Sequence, residues 1–210
     1  MNEITEPLRL AIGSHTAGSG RGCAMNLISW ENGDSTISDM PKCADRLLSR
    51  IVQRVNDTYC RHTVDGMLCP ACSVVVLELA HRTVGTGDLV LTRDQRHRVW
   101  VGVAADQARA VQHLAKNKEA AETAITAAEV FANGGPKPAY VYAAAAAYAA
   151  ADAAAAADAA ADAYADADAA RLQLAHRAID KFIELTGHVA TPVDPHLTTE
   201  AVRKMVAVAS

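Results

Sequence analysis

Cys60-Arg61-His62 and Cys69-Pro70-Ala71-Cys72 lie on either side of a short stretch, Thr63 to Leu68, in a chain with five cysteines. Thiolate and neutral imidazole are the ligands zinc prefers, and a tetrahedral Cys3His site needs two ligand pairs folded back on one another. Asp65-Gly66 supplies the turn signal between the pairs. Pro70 suits the first turn of a helix, so Cys69 and Cys72 are predicted to sit at a helix start. Cys60, His62, Cys69 and Cys72 are therefore the candidate ligands of one zinc ion. The spacing C-x-H-x6-C-x2-C matches no common zinc finger, and C-x-x-C also suits a redox dithiol or ordinary buried cysteines.

A second stretch with chemical potential is Gly13-Ser14-His15-Thr16-Ala17-Gly18-Ser19-Gly20-Arg21-Gly22-Cys23, which leads into a helix-forming run, Ala24 to Trp30. A glycine-rich loop before a helix can aim backbone N–H groups at an anion, and the helix terminus adds partial positive charge. Gly18, Gly20, Arg21 and Gly22 are the candidate anion-binding residues, with a phosphorylated small molecule as the ligand class. Cys23, at the start of that helix, is expected to have a lowered pKa, with His15 as its natural partner. The plainer reading is a surface loop with a half-buried cysteine, because the glycine pattern alone is a weak signal. Gly33 is placed to end this helix in a left-handed cap. Ser38 or Asp39 can cap the next, along which Leu47, Leu48, Ile51, Val52 and Val55 recur at helical spacing. Arg46, Arg50 and Arg54 fall four apart on a neighbouring face, which suits an acidic partner or a solvated surface.

The pattern Gly13-Ser14-His15, Cys23-x-Met25 and Ser38-Asp39-x-Pro41-x-Cys43, followed by a helix ending in Asn56-Asp57, resembles small proteins of actinobacteria and their phages. The likeness covers about the first third of the chain. It carries no assigned activity, and what it implies is an actinobacterial or phage origin. It also suggests a second site made of His15, Cys23 and Cys43, with Asp39 as a fourth group.

Composition narrows the class. The 210 residues can bury a substantial core, yet much of the 50% hydrophobic content is alanine and only 4% is aromatic, which favours close helix-to-helix packing. A net charge of −4 provides no general attraction to nucleic acid or to anionic membranes. No apolar run is long enough to span a bilayer, and the N-terminus lacks the pattern of a signal peptide, so a cytoplasmic protein is expected, in the host cytosol if phage-encoded.

The remaining chain reads as helix. Ser73 to Arg82 continues the helix opened by Cys69 to Cys72. Residues 88–104 admit a small β-hairpin, because β-branched residues and Gly102 disfavour helix, but Thr92 and Gln95 form a capping-box pair and favour a helix instead. A helical face over residues 94–132, unbroken or broken near Gly102 or Asn117, ends at Gly134-Gly135-Pro136-Lys137-Pro138. Beyond it, Ala139 to Ala170 is almost wholly alanine, aspartate and tyrosine, and one helical phase runs on to Glu184. The fold expected is mainly α: a zinc-clipped N-terminal helical body (1–92), a long alanine-rich antiparallel helical hairpin (93–187), and a linker with a short C-terminal helix (188–210). The tract buries little area per residue, so a homo-oligomer is expected. No complete catalytic set is present. The function read from these features is a non-catalytic binding protein, zinc-stabilised, acting on a host or partner protein. A phosphorylated-ligand binder and a Cys/His metal or thiol enzyme are the alternatives.

Overall fold

The computed structural model describes residues 8–15, 19–138 and 167–189. The expected helix over 139–166, the oligomer contact placed on it, and the linker and helix beyond 189 lie outside the described residues. Within them the chain is mainly helical, with six α-helices. It divides into two compact units between Leu89 and Val90. Among the described residues, no helix is long and apolar enough to cross a membrane.

The first unit packs three helices together: α1 (Ala24–Glu31), α2 (Arg46–Thr58) and α3 (Pro70–His81). Each starts and stops for a local reason. α1 ends in a Schellman arrangement, in which Gly33 at φ 74° donates to the Trp30 carbonyl and Asp34 to that of Ser29. α2 is capped by Asp45, whose carboxylate accepts from the Leu47 amide at 2.9 Å. The cap is thus neither Ser38 nor Asp39, since the Asp39 carboxylate is occupied by Ser14, Asn26 and Gln53. α2 buries Leu48, Val52 and Val55 and leaves Leu47 40% exposed. α3 carries Cys69 at its N-cap and Pro70 at its first position, and buries Ser73, Val76, Leu77, Leu79 and Ala80.

Residues 8–13 cross this unit as an extended thread. Leu10 accepts from the Leu68 amide at 2.8 Å, Ala11 donates to Gly22 at 2.9 Å, and Ile12 donates to Gly66 at 2.9 Å. Leu10 and Ala11 are fully buried. The thread therefore ties the start of α1 to the turn before α3. On the other side, Thr86 accepts from the Asp45 amide at 2.8 Å and Gly87 donates to the Cys43 carbonyl at 3.0 Å.

The second unit packs α4 (Arg93–Val111) against α5 (Lys118–Ala132) and α6 (Ala167–Thr186). Thr92 and Gln95 form the expected capping box, so residues 93–104 are helix and not hairpin. The break falls at a 3₁₀ turn, Gln112–Leu114, after which Asn117 caps α5 by accepting from Ala120 at 3.0 Å. Gly102 explains why the strand reading was attractive and yet fails. Glycine costs a helix interior about 1 kcal/mol relative to alanine. Here a Cβ would stand 2.5 Å from Leu185 Cδ1 and 3.0 Å from Ala132 Cβ, so the missing side chain lets three helices meet. Ala105, Ala108 and Ala128 continue that contact, with Ile125 buried among them. Phe131 and Phe182 supply the bulk, with Trp100 tilted onto Phe182 at a centroid distance of 5.4 Å. α6 keeps the predicted phase, burying Ala175, Ala178, Ile179 and Phe182 and exposing Arg177, Asp180 and Glu184. Arg177 reaches Asp106 on α4 at 2.9 Å. Gly187, at φ 66°, follows the end of α6.

Gly87 tests the packing of the first unit. A Cβ there would lie 2.1 Å from the Lys42 carbonyl oxygen and 2.8 Å from the Ala44 nitrogen, both backbone atoms that cannot rotate away. Gly87→Ala is expected to destabilise this unit by about 3 kcal/mol, at the upper end of overpacking costs. Chemical denaturation followed by far-UV circular dichroism measures it; an unchanged midpoint would contradict the packing described.

Candidate metal centre

Cys60 follows α2 directly, and the chain then turns back through Val64-Asp65-Gly66-Met67. Val64 and Met67 exchange two backbone hydrogen bonds of 3.0 Å, while Asp65 (φ 55°) and Gly66 (φ 73°) both adopt the left-handed conformation. This is the two-residue turn that Asp-Gly favours. It delivers Cys69 and Cys72, on the first turn of α3, to Cys60. The three sulfurs lie within 4.8 Å of one another. Sulfurs around a tetrahedral zinc with bonds of about 2.3 Å stand about 3.8 Å apart, so a small contraction closes the set.

Two backbone amides already serve these sulfurs. Cys69 N–H donates to Cys60 Sγ at 3.3 Å, and Cys72 N–H donates to Cys69 Sγ at 3.5 Å. Hydrogen bonds of this kind favour thiolate over thiol. The Cys69 thiol accordingly falls below its ordinary value, chiefly through the Cys72 amide. Cys72 is pushed up to about 12 by burial and by its sulfur neighbours. One negative charge is welcome here and a second is resisted. A divalent cation reverses that resistance, as it does wherever thiols coordinate.

The turn is braced from a distance. Arg9 Nε donates to the Leu68 carbonyl at 3.1 Å, and its Nη2 reaches those of Val64 and Met67 at 3.4 and 3.5 Å. Arg21 Nη1 reaches the Asp65 carbonyl at 3.4 Å. Ser73, one residue past Cys72, holds the thread through a 3.0 Å bond from the Leu10 amide. The sequence reading did not assign Arg9 or Ser73 to this centre, because each acts across about sixty residues with no local motif to mark it.

His62 stands apart from the three sulfurs. It is exposed on the turn, and it makes no hydrogen bond or ion pair with any described residue. The second candidate set is not gathered into a shared donor group. His15 Nε2 lies 3.0 Å from the Ile12 carbonyl oxygen, and Asp39 is engaged with Ser14, Asn26 and Gln53. Cys23 is fully buried and Cys43 only 4% exposed, and burial raises each thiol to about 11. The expectation of a thiolate at Cys23 is thereby corrected: desolvation outweighs the helix dipole. Among the described residues, Cys60, Cys69 and Cys72 are the group of metal-binding donors close enough to share an ion.

The glycine loop read as an anion site is described only in part. Gly18 lies outside the described residues. The Ala24 amide at the start of α1 is taken by Asn56 Oδ1 at 3.2 Å, and the Cys23 amide by Asn26 Oδ1 at 3.1 Å. Gly22 is buried with its carbonyl bonded to Ala11, and Arg21 reaches the Asp65 carbonyl, while Gly20 and Arg21 are exposed. Side chains of the protein itself thus occupy two of the amides at the start of α1.

Comparison with protein-family models, curated proteins and solved structures returns no match.

One acid–base pair, of a half-buried glutamate and a buried histidine, has no local sequence signal. Glu31, at the end of α1, faces His81, at the end of α3, at 3.6 Å between Oε2 and Nε2; Glu31 Oε1 and His81 Nε2 have no hydrogen-bond partner. Burial raises Glu31 from 4.5 to about 7 and lowers His81 from 6.5. The raised carboxyl favours folding most below pH 4.5 and loses that contribution as pH climbs to about 7. The lowered imidazole acts oppositely, and its loss begins only below 6.5. Toward alkaline pH the Glu31 effect therefore stands alone. Glu31→Gln is expected to gain stability relative to the parent between acidic and mildly alkaline pH, by about 1–3 kcal/mol. Denaturation midpoints of both proteins across that range measure it, and parallel profiles would contradict it.

Proposed function

We propose that this is a non-catalytic interaction protein whose N-terminal unit is clipped by one structural zinc ion and which acts on a partner macromolecule. The observation that carries the zinc reading is the cluster of Cys60, Cys69 and Cys72 within 4.8 Å, two of whose sulfurs accept backbone N–H bonds. A redox dithiol needs two thiols; here a third shares the same small volume, and a cation resolves the charge that three thiolates would bring. Zinc would be held by these three and by His62. The imidazole has no bond to break in turning toward the sulfurs, and it follows Cys60 by two residues. A closed set of four protein ligands is the structural kind of site, with no open position for a substrate. Cys23 and Cys43 are buried with raised pKa values, which suits neither to act as a nucleophile, and Cys69, the thiol whose pKa is lowered, lies inside the proposed metal shell.

Binding to the native state alone raises stability by mass action, and the unfolded chain has no preformed site. The purified protein is expected to carry one zinc ion per chain by native mass spectrometry and elemental analysis. Chelation should lower its melting temperature, and added zinc should restore it. His62→Ala should weaken zinc retention without abolishing it, whereas Cys69→Ser should abolish it. A metal-free protein whose melting is indifferent to chelator and to zinc would overturn the reading.

A further inference from the structure

Arg46, Arg50 and Arg54 are exposed along one face of α2. At 1.5 Å per residue they are spaced about 6 Å apart along the axis and span about 12 Å. Their placement works against the helix that carries them. Like charges at i, i+4 destabilise a helix, and Arg46 adds a cation at the helix end that favours anions. α2 has no acidic residue in its first turn to offset this. Of the two acids at its ends, Asp45 is buried and uses its carboxylate to cap the Leu47 amide, while Asp57 receives the Gly13 amide and Asn56 Nδ2. Arg46 and Arg50 make no hydrogen bond or ion pair with any described residue. Beside the row stand Leu47, 40% exposed, and Ile51, half-buried, one turn apart.

We propose that this face of α2 is a docking surface for a partner protein that presents carboxylates at helical spacing next to an apolar side chain. Guanidinium forks pair bidentately with carboxylates, and Leu47 with Ile51 provides the apolar contact that a charge row alone lacks. Nucleic acid fits less well. Its phosphates have no use for the Leu47–Ile51 flank, and the chain's net charge of −4 lacks the overall basic field typical of nucleic-acid binders. The inference rests on the interaction reading above and not on the zinc ion.

The test uses the full-length protein, a synthetic helical peptide with glutamates at i and i+4, set to meet Arg46 and Arg50, beside a leucine, and a duplex DNA oligonucleotide, with fluorescence anisotropy at low salt. The peptide should bind, its affinity should fall as salt is raised, and Arg50→Glu should weaken it roughly tenfold or more. The same substitution should melt no lower than the parent, because the new carboxylate relieves the repulsion in the row. Leu47→Asp should also weaken the peptide. Duplex DNA binding as tightly as the peptide would overturn the proposal in favour of a phosphate-backbone site. Peptide binding indifferent to Arg50→Glu, or no binding to either probe, would equally overturn it. Zinc content measured on each sample separates loss of the clip from absence of the surface.

Discussion

The close approach of three sulfurs is the constraint around which the turn before α3 is arranged. Three thiols inside 4.8 Å can release one proton readily, with backbone amides aimed at the sulfurs, and resist releasing the next. The surrounding structure brings them together regardless. The Asp65-Gly66 turn reverses the chain, the first turn of α3 presents Cys69 and Cys72, and Arg9 holds three carbonyls of the turn. The thread of residues 8–13 then links that turn to α1. A cation at the sulfurs would accordingly be felt well beyond the turn, because thread and helices share its hydrogen bonds.

The second unit is held by a different force. Its core is made largely of alanines, with Gly102 where α4 meets Leu185 and Ala132, so it relies on close backbone approach more than on large apolar area. Phe131 and Phe182 supply most of the bulk. Polar ties finish the assembly at its rim. Arg98 caps the end of α5 by donating to the Phe131 and Gly135 carbonyls while lying over the Phe131 ring. Arg109 joins α4 to Glu122 and Glu129 of α5. Exposed pairs of this sort add little each, and their role is to set register where alanine faces alone are permissive.

Features set by a few neighbouring residues were legible in the sequence. The Asp-Gly turn, the C-x-x-C at a helix start, the Gly33 cap, the Thr92–Gln95 box and the phase of α6 all depend on chain segments shorter than a few turns. What was not legible depends on partners far away. Whether Cys23 is a thiolate is decided by burial, which no local pattern reports, and whether the start of α1 is open to an anion is decided by Asn56, thirty-two residues on. The Glu31–His81 pair and the Arg9 brace are of the same kind. Gly102 argues locally against helix, and the packing of three helices, together with the Thr92–Gln95 box, overrides that preference.

Zinc-edge X-ray absorption on the purified protein tests the central claim most directly, since it reads the ligands and not just the presence of metal. Three sulfurs at about 2.3 Å and one nitrogen at about 2.0 Å are expected, from Cys60, Cys69, Cys72 and His62. A metal shell without sulfur, or protein that binds no zinc while its three thiols remain freely reactive, would contradict it.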